Sequence, residues 1–332
     1  MMRKITAFLS AALLSLSLSS CKMTETPTKE TKHSVAVPPK MVFLGDSIAA
    51  GYGLEGYTDT DNYNCRSYSN ILKEKYAAEL KDECGHTMIN KAVSGATSDD
   101  LIELIKSGDL DSDLKDSDAV VISIGGNDLL GILLNVIGNM GVTDVGDFDT
   151  NSIDLKEAAA SLLTMGGDVD KALTQFDTNI KIIAEELDKR TDGTVYVQTL
   201  YDPLEYFNNL KLVSDFSDDK IGKLNDIISE NASSGYTVIN VASVFKGKAG
   251  ELTNISSYDI HPNAEGHVAI SKAVDEAFRE TGFSYTTTEE GSPKLTKEAE
   301  IAIGIGIFGS AAVLCLIIVM VWTGKKKNKK SE

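Results

Sequence analysis

Between Pro39 and Gly282 the chain alternates short apolar runs with amphipathic stretches. Met41–Gly45 has the continuous apolar character of a strand buried on both faces, and Ala119–Ile124 is strongly apolar throughout. Thr87–Val93, Thr194–Leu200 and Tyr236–Val241 are further strand-like runs. Apolar residues at helical spacing predict helices over Ser69–Leu80, Ser98–Lys106, Asp168–Asp188, Asp218–Asn231 and Ala264–Glu280. The second of these begins at a Ser suited to capping, with Asp99 and Asp100 in its first turn. Strand and helix alternate five times, which predicts an α/β domain with a parallel sheet covered by helices on both faces. Ligands of such sheets bind outside the carboxyl ends of the strands. The chemistry is therefore expected on the loops Gly45-Asp46-Ser47, Ser94-Gly95 and Gly125-Gly126-Asn127-Asp128, and around His261.

The two ends follow different patterns. Residues 1–20 carry Arg3 and Lys4, then an apolar stretch from Ala7 to Leu18 that is short for a membrane span. This reads as a secretory signal. Its end, Leu18-Ser19-Ser20-Cys21, is similar to a bacterial lipobox, which makes Cys21 the expected lipid-bearing first residue; the alternative is an ordinary cleaved signal. Residues 21–38, rich in Lys, Thr and Pro, read as a flexible stalk, and 284–300 as a second linker. The domain proper is expected over 39–283.

Ile301 to Trp322 is a run of 22 uncharged residues, long enough at about 1.5 Å per residue to cross an apolar layer of about 30 Å. A transmembrane helix is therefore expected over 301–323. Lys325, Lys326, Lys327, Lys329 and Lys330 follow in the tail 324–332, which places that tail in the cytoplasm and the domain outside. Ala302, Gly306 and Ser310 put small residues on one helix face, as in helix-packing motifs, but no oligomeric state follows from that.

The formal charge is −17. Setting aside Arg3, Lys4, the five tail lysines and Glu332 deepens it to about −23 for the external part. Such a surface excludes nucleic acid as a partner, because that binding rests on neutralising phosphates. It also disfavours broad contact with anionic headgroups. Membrane partnership is expected only through the C-terminal helix and the N-terminal lipid. Of four cysteines, Cys65 and Cys84 lie in the external domain, where a disulfide is permitted; two reduced thiols are the alternative.

Four positions carry candidate chemistry. Ser47 stands at a strand-to-helix turn, where backbone amides near its hydroxyl stabilise developing negative charge. Gly95 ends a strand without a side chain, so its N–H can approach a bound oxygen. Asn127 offers a carboxamide N–H₂ just beyond an apolar strand. Among four histidines, His33 falls in the stalk, His86 beside Cys84, and His267 inside the final helix as a packing or surface residue. His261, in Tyr258-Asp259-Ile260-His261-Pro262-Asn263, is the candidate base, with Pro262 fixing its backbone and an acid nearby to orient it. No His/Cys cluster, H-E-x-x-H, P-loop or G-x-G-x-x-G is present, so neither a metal nor a nucleotide cofactor is indicated.

In this order and on these loops, the blocks around Ser47, Gly95, Asn127 and His261 resemble the GDSL/SGNH hydrolase family, from Met41 to about Ala277. The resemblance implies a three-layer α/β/α flavodoxin-like fold with a five-stranded parallel sheet. It implies Ser47 as nucleophile on an ester carbonyl and His261 as base. It also implies an oxyanion hole of the Ser47 amide, the Gly95 amide and the Asn127 side chain, with Asp46 and Asp128 in support. Two departures stand out. Ile48 replaces the Leu of the first block. Tyr258 occupies the place three residues before the His where the family commonly has Asp, and Asp259 stands two before it. Asp259 then completes the triad by a different backbone path, or a backbone carbonyl orients His261 in a dyad.

The expected substrate is an ester, either an acyl lipid or an acetylated glycan. The same residues serve acyl transfer to an alcohol, and a non-catalytic surface-binding module is the reading from another class. Leu129 to Met140 is an apolar run that would wall an acyl pocket, form a mobile cover, or pack as a core helix.

Overall fold

The computed structural model describes residues 24–80, 84–129, 155–208, 211–257 and 259–301, with scattered positions between 303 and 319. Two compact units emerge: 33–285, and the joined ends 1–32 and 286–332. The larger unit holds five strands, β1 Lys40–Gly45, β2 Thr87–Asn90, β3 Ala119–Ser123, β4 Thr194–Gln198 and β5 Thr237–Ile239. All pair in parallel, in the order β2-β1-β3-β4-β5. The chain thus runs from β1 to one edge and returns to the other side of β1 with β3. This is the doubly wound order, and ligands bind at the reversal between the ends of β1 and β3.

Side-chain alternation along the strands divides the core in two. Val42, Leu44, Val120, Ile122, Val195 and Val197 point to one face. There they meet α2 Ser98–Ser107, α3 Leu155–Asp188 and α4 Lys211–Glu230 through Leu101, Ile105, Phe176, Ile180, Leu224 and Ile228. Met41, Phe43, Val121 and Tyr196 point the other way. They meet α1 Tyr68–Leu80 and α5 Ala264–Thr281 through Tyr68, Leu72, Tyr76, Ile270, Val274 and Phe278. Each fully buried large apolar side chain contributes about 1.5–3 kcal/mol, so this layering fixes the sheet edge that carries the loops. Along α3, buried Val169, Leu173, Phe176, Ile180, Ile183 and Leu187 recur every three or four residues, the stripe expected of a core-facing helix.

Several elements differ from the sequence expectation. The cap of α2 is Thr97 rather than Ser98, in a capping box where Thr97 and Asp100 each bond the other's backbone. Helix α3 begins at Leu155, well before Asp168, and runs through Gly166 and Gly167, whose cost of about 0.5–1 kcal/mol each is too small to end it. The segments expected to be irregular linkers contain strands. Thr28–Val35 and Phe283–Glu290 form a two-stranded ribbon, with the His33 and Tyr285 rings stacked at 4.9 Å, and Thr24–Glu25 pairs antiparallel with Lys294–Leu295. Threonine-rich chain favours extended backbone, and the pairing satisfies its amides and carbonyls.

The expected bridge between Cys65 and Cys84 is not formed. Cys65 is buried, with its thiol directed at the carbonyls of Ala50 and Asn62, each at 3.7 Å. It precedes α1, whereas Cys84 follows it. Among the described residues no helix is long and apolar enough to cross a membrane; about half of the expected span 301–323 lies outside them.

Candidate active site

The turn after β1 is built by Gly45. Its φ is +125°, and a Cβ there would fall 1.9 Å from the carbonyl oxygen of Ser123 on β3, so only glycine fits. The Asp46 N–H donates to that carbonyl at 3.0 Å. Asp46 then caps the short helix Ser47–Ala50, its Oδ1 accepting from the Ile48 amide at 3.0 Å. Ser47 opens that helix, so its own N–H has no carbonyl of the preceding turn to bond.

His261 reaches Ser47 from the segment before α5. An antiparallel bridge between Thr253 and Pro262 holds that segment, with Asn254 N–H donating to the His261 carbonyl at 2.9 Å and Asn263 N–H to the Leu252 carbonyl at 3.0 Å, and Tyr201 Oη donates to the Ile260 carbonyl at 2.8 Å. The His261 Nε2 lies 2.9 Å from Ser47 Oγ. Its Nδ1 lies 2.5 Å from Asp259 Oδ1, which also accepts the His261 amide at 3.0 Å. An Asp two residues before the His therefore orients the ring, by turning back on the chain it sits in. A carboxylate at Nδ1 puts the ring proton there and leaves the Nε2 lone pair to accept the Ser47 hydroxyl proton. The far oxygen of Asp259 accepts from Asn254 Nδ2 at 3.4 Å.

Gly95 and Asn127 share one corner. The Asn127 Nδ2 donates to the Ala96 carbonyl at 2.9 Å, which ties the helical turn 126–129 after β3 to the turn after β2. A carboxamide has two N–H groups, and this bond takes one. Gly95 has φ +84°, and a Cβ there would meet nothing within 4 Å, so its backbone faces open space. Val93 N–H donates to the Gly45 carbonyl at 2.9 Å, which places this turn against the end of β1.

Two buried carboxyls support the corner. Burial pushes Asp46 up to about 7; its bond from Ile48 opposes the rise and the charge of Asp128 adds to it. Burial also raises Asp128, against the bonds it receives from the Ser98 amide and hydroxyl. Ser98 opens α2, so Asp128 fastens that helix to the loop bearing Asn127. His267 is fully buried, accepts the Tyr68 amide on Nδ1 at 3.2 Å, and is held down at about 3 by burial, as befits a packing residue.

Comparison with known proteins decides the family. The profile of the GDSL-like lipase/acylhydrolase family matches residues 43–269, more than half of the chain. The chain belongs to that family. It is 23% identical over 294 residues to the uncharacterized protein YpmR of Bacillus subtilis (strain 168), across 84% of this chain and 98% of that one. Among solved structures it is similar to an extracellular lipase from Streptomyces rimosus, with a TM-score of 0.53 at 17% identity over 72% of this chain and 99% of that one. The lipase Lip_vut3 from a goat rumen metagenome gives 0.52 at 20% identity over 72% and 96%. These two likenesses establish the shared fold.

Other members of this site carry no sequence motif. The Tyr52 ring centroid lies 4.5 Å from that of His261, and a Cβ on Gly53 would sit 3.2 Å from Asp259 Oδ2. The pair Gly51 and Gly53 around Tyr52 was the available signal for a tight turn beside the nucleophile. Asn254, five residues before Asp259, had none. The apolar run after Leu129 falls outside the described residues.

Proposed function

We propose that this GDSL-family chain hydrolyses carboxylic esters through an acyl-enzyme on Ser47. Ser47 Oγ attacks the ester carbonyl while His261 Nε2 takes its proton. The tetrahedral oxyanion is met by the Ser47 and Gly95 amides and the second N–H of Asn127. The alcohol leaves with the proton from Nε2, and the acyl group stays on Ser47. Water then gives a proton to Nε2 and attacks, releasing the acid and restoring Ser47. Proton transfer by a positioned base supplies roughly 10²- to 10⁴-fold, and each oxyanion donor about 10² to 10³. Asp259 holds the reactive tautomer and carries the charge opposite the imidazolium. The observation that carries this reading is the continuous chain from Ser47 Oγ through His261 to Asp259, at 2.9 and 2.5 Å. Turnover of p-nitrophenyl acetate by the purified chain and its Ser47→Ala variant tests it; equal rates would remove Ser47 from the chemistry.

We infer further that the domain works outside the cell, anchored by lipid at Cys21 and by a helix over 301–323. The signal-like start, the uncharged run of 22 residues and the lysines after it support this orientation. The full chain should sediment with membranes, and a form with Cys21→Ser that ends at residue 300 should not. A full chain in the soluble fraction would contradict the anchoring.

A further inference from the structure

The loop after the nucleophile helix turns back onto the catalytic pair. The Gly51 and Tyr52 amides both donate to the Ser47 carbonyl, each at 3.0 Å, so the backbone of Tyr52 is fastened to the nucleophile itself. Gly51 and Gly53, at φ +88° and +82°, take the left-handed conformation on either side of Tyr52. A Cβ on Gly53 would also lie 3.9 Å from His261 Cβ, so the turn passes close to the segment that carries the base. From this turn the Tyr52 ring reaches the imidazole, with centroids 4.5 Å apart and planes at 47°. Tyr57 backs that ring edge-on, at 5.5 Å and 65°, and is itself held by the bond from its hydroxyl to Asp59 at 3.0 Å.

Tyr52 is 41% exposed, whereas the His261 side chain is 15% exposed. The tyrosine therefore covers the imidazole rather than being buried by it. An aromatic face carries negative potential and attracts a cation within about 6 Å of its centroid. Neutral imidazole gains little from that face, and imidazolium gains most. His261 becomes imidazolium each time it takes a proton, from Ser47 in acylation and from water in deacylation. The attraction is thus made in the transition state and not in the resting enzyme, which is the condition for raising kcat rather than tightening binding. The other ionisable groups around His261 do not duplicate it. Asp259 meets the ring at Nδ1, Tyr201 bonds the Ile260 carbonyl and is kept uncharged by burial, and His267 of α5 is kept neutral by burial.

We propose that Tyr52 is a positioning residue of this site: its ring steadies the His261 imidazole against Ser47 and stabilises the imidazolium through its π face. This role presupposes the reading of Ser47 as nucleophile and His261 as base. The proton passes from Ser47 Oγ to Nε2 as the bond from Oγ to the acyl carbon forms. It leaves Nε2 for the alcohol oxygen as the bond from that oxygen to the acyl carbon breaks. Tyr52 exchanges no proton and forms no bond in either step.

Kinetics of p-nitrophenyl acetate from pH 5 to 9 with Tyr52→Leu, Tyr52→Met and Tyr52→Phe test the role, with rates scaled to the active fraction counted by fluorophosphonate labelling. Leu and Met keep apolar cover without a π face, and Phe keeps the face. On the plateau, Leu and Met should each lower kcat about three- to tenfold with KM within about twofold, the size of a partly exposed cation–π contact. Phe should recover most of that loss. The acid limb of kcat/KM should move about 0.5–1 pH unit lower in Leu and Met, because a less stabilised imidazolium gives up its proton sooner. Below that limb their curves should converge with wild type. There the free enzyme already carries the charge on His261, so the ring stabilises starting state and transition state alike. A curve lowered equally at every pH would mark a packing role and overturn the assignment. So would an unmoved acid limb, a Phe variant as slow as Leu, or the loss of the active fraction in both Leu and Met; if one of these two folds, it decides. If Ser47→Ala retains turnover, the hydrolase reading itself fails. If turnover needs Ser47 but Tyr52→Leu matches wild type throughout, only the role of Tyr52 falls.

Discussion

Replacing Asp259 by Asn separates a triad from a dyad. The carboxylate faces donors on every side that the structure describes: His261 Nδ1 at 2.5 Å and its amide at 3.0 Å on Oδ1, and Asn254 Nδ2 at 3.4 Å on Oδ2. Asparagine has one acceptor oxygen. Turned toward His261, it sets its own N–H₂ against that of Asn254. Turned the other way, it donates to Nδ1 and moves the ring proton to Nε2, where it faces Ser47 and blocks proton transfer. In either orientation the imidazolium formed during the reaction loses its counter-charge. A hydrogen bond to a charged group is worth about 1.5–3 kcal/mol, about 1 kcal/mol more than a neutral one. Direct attraction across a short pair near a surface adds about 4 kcal/mol at most, and the Asp259 side chain is 34% exposed, so solvent removes part of it. A loss of about 2–4 kcal/mol results, or about 30- to 1,000-fold in rate. The assay is kcat and KM for p-nitrophenyl acetate from pH 5 to 9, with p-nitrophenol read at a pH-independent wavelength. The fall should sit in kcat, because Asp259 acts on the imidazolium rather than on bound ester. A kcat within about twofold of wild type across that range would refute the reasoning and leave His261 in a dyad.

Three further outcomes are expected. Asp46 holds its proton up to about pH 7 in the fold but only to about 3.9 when unfolded, so its stabilising protonation is complete below the lower value and is lost as pH rises to 7. Urea titrations at pH 4.5, 6 and 7.5 should therefore show Asp46→Asn gaining on wild type as pH rises, by up to about 3 kcal/mol; parallel curves would exclude a buried protonated Asp46. Gly45→Ala puts a methyl 1.9 Å from the Ser123 carbonyl at φ +125°, and should cost about 3 kcal/mol or more by the same titration, with an unchanged midpoint as the contrary result. Alkylation in denaturant without reductant, followed by peptide mass mapping, should find Cys65 and Cys84 modified separately; a linked peptide would contradict the fold around α1.

How much was visible in the chain depends on whether a residue acts through local pattern or through distant approach. The five strands and their helices were legible because Val42, Val120 and Val195 belong to compact apolar runs, and Leu173, Phe176 and Ile180 keep helical spacing. Ser47, Asn127 and His261 were legible because each stands beside a strand end or a helix start. The unusual place of Asp259 could be flagged but not resolved, since its reach to Nδ1 depends on a local turn that also captures the His261 amide. Tyr52 and Asn254 were invisible: Tyr52 meets His261 where Gly53 lets its loop pass close by, and Asn254 meets Asp259 through a local turn in which its carbonyl also accepts the Asp259 amide. The ribbon at the domain's ends was missed for a similar reason. Thr31 and Thr287 lie 256 residues apart, and neither strand has an apolar alternation of its own. A bridge between Cys65 and Cys84 looked plausible from composition and compartment, but a pairing depends on the approach of segments on either side of α1, which no local pattern reports, and it is not formed.

The central claim is that one hydroxyl, activated by one imidazole, becomes acylated. Treat the purified chain with a fluorophosphonate, digest it, and locate the adduct by mass spectrometry. The account predicts a single modified peptide carrying the label on Ser47, formed about 10²-fold or more slower with His261→Ala. A label on another serine, or labelling of Ser47 at the same rate without His261, would contradict it.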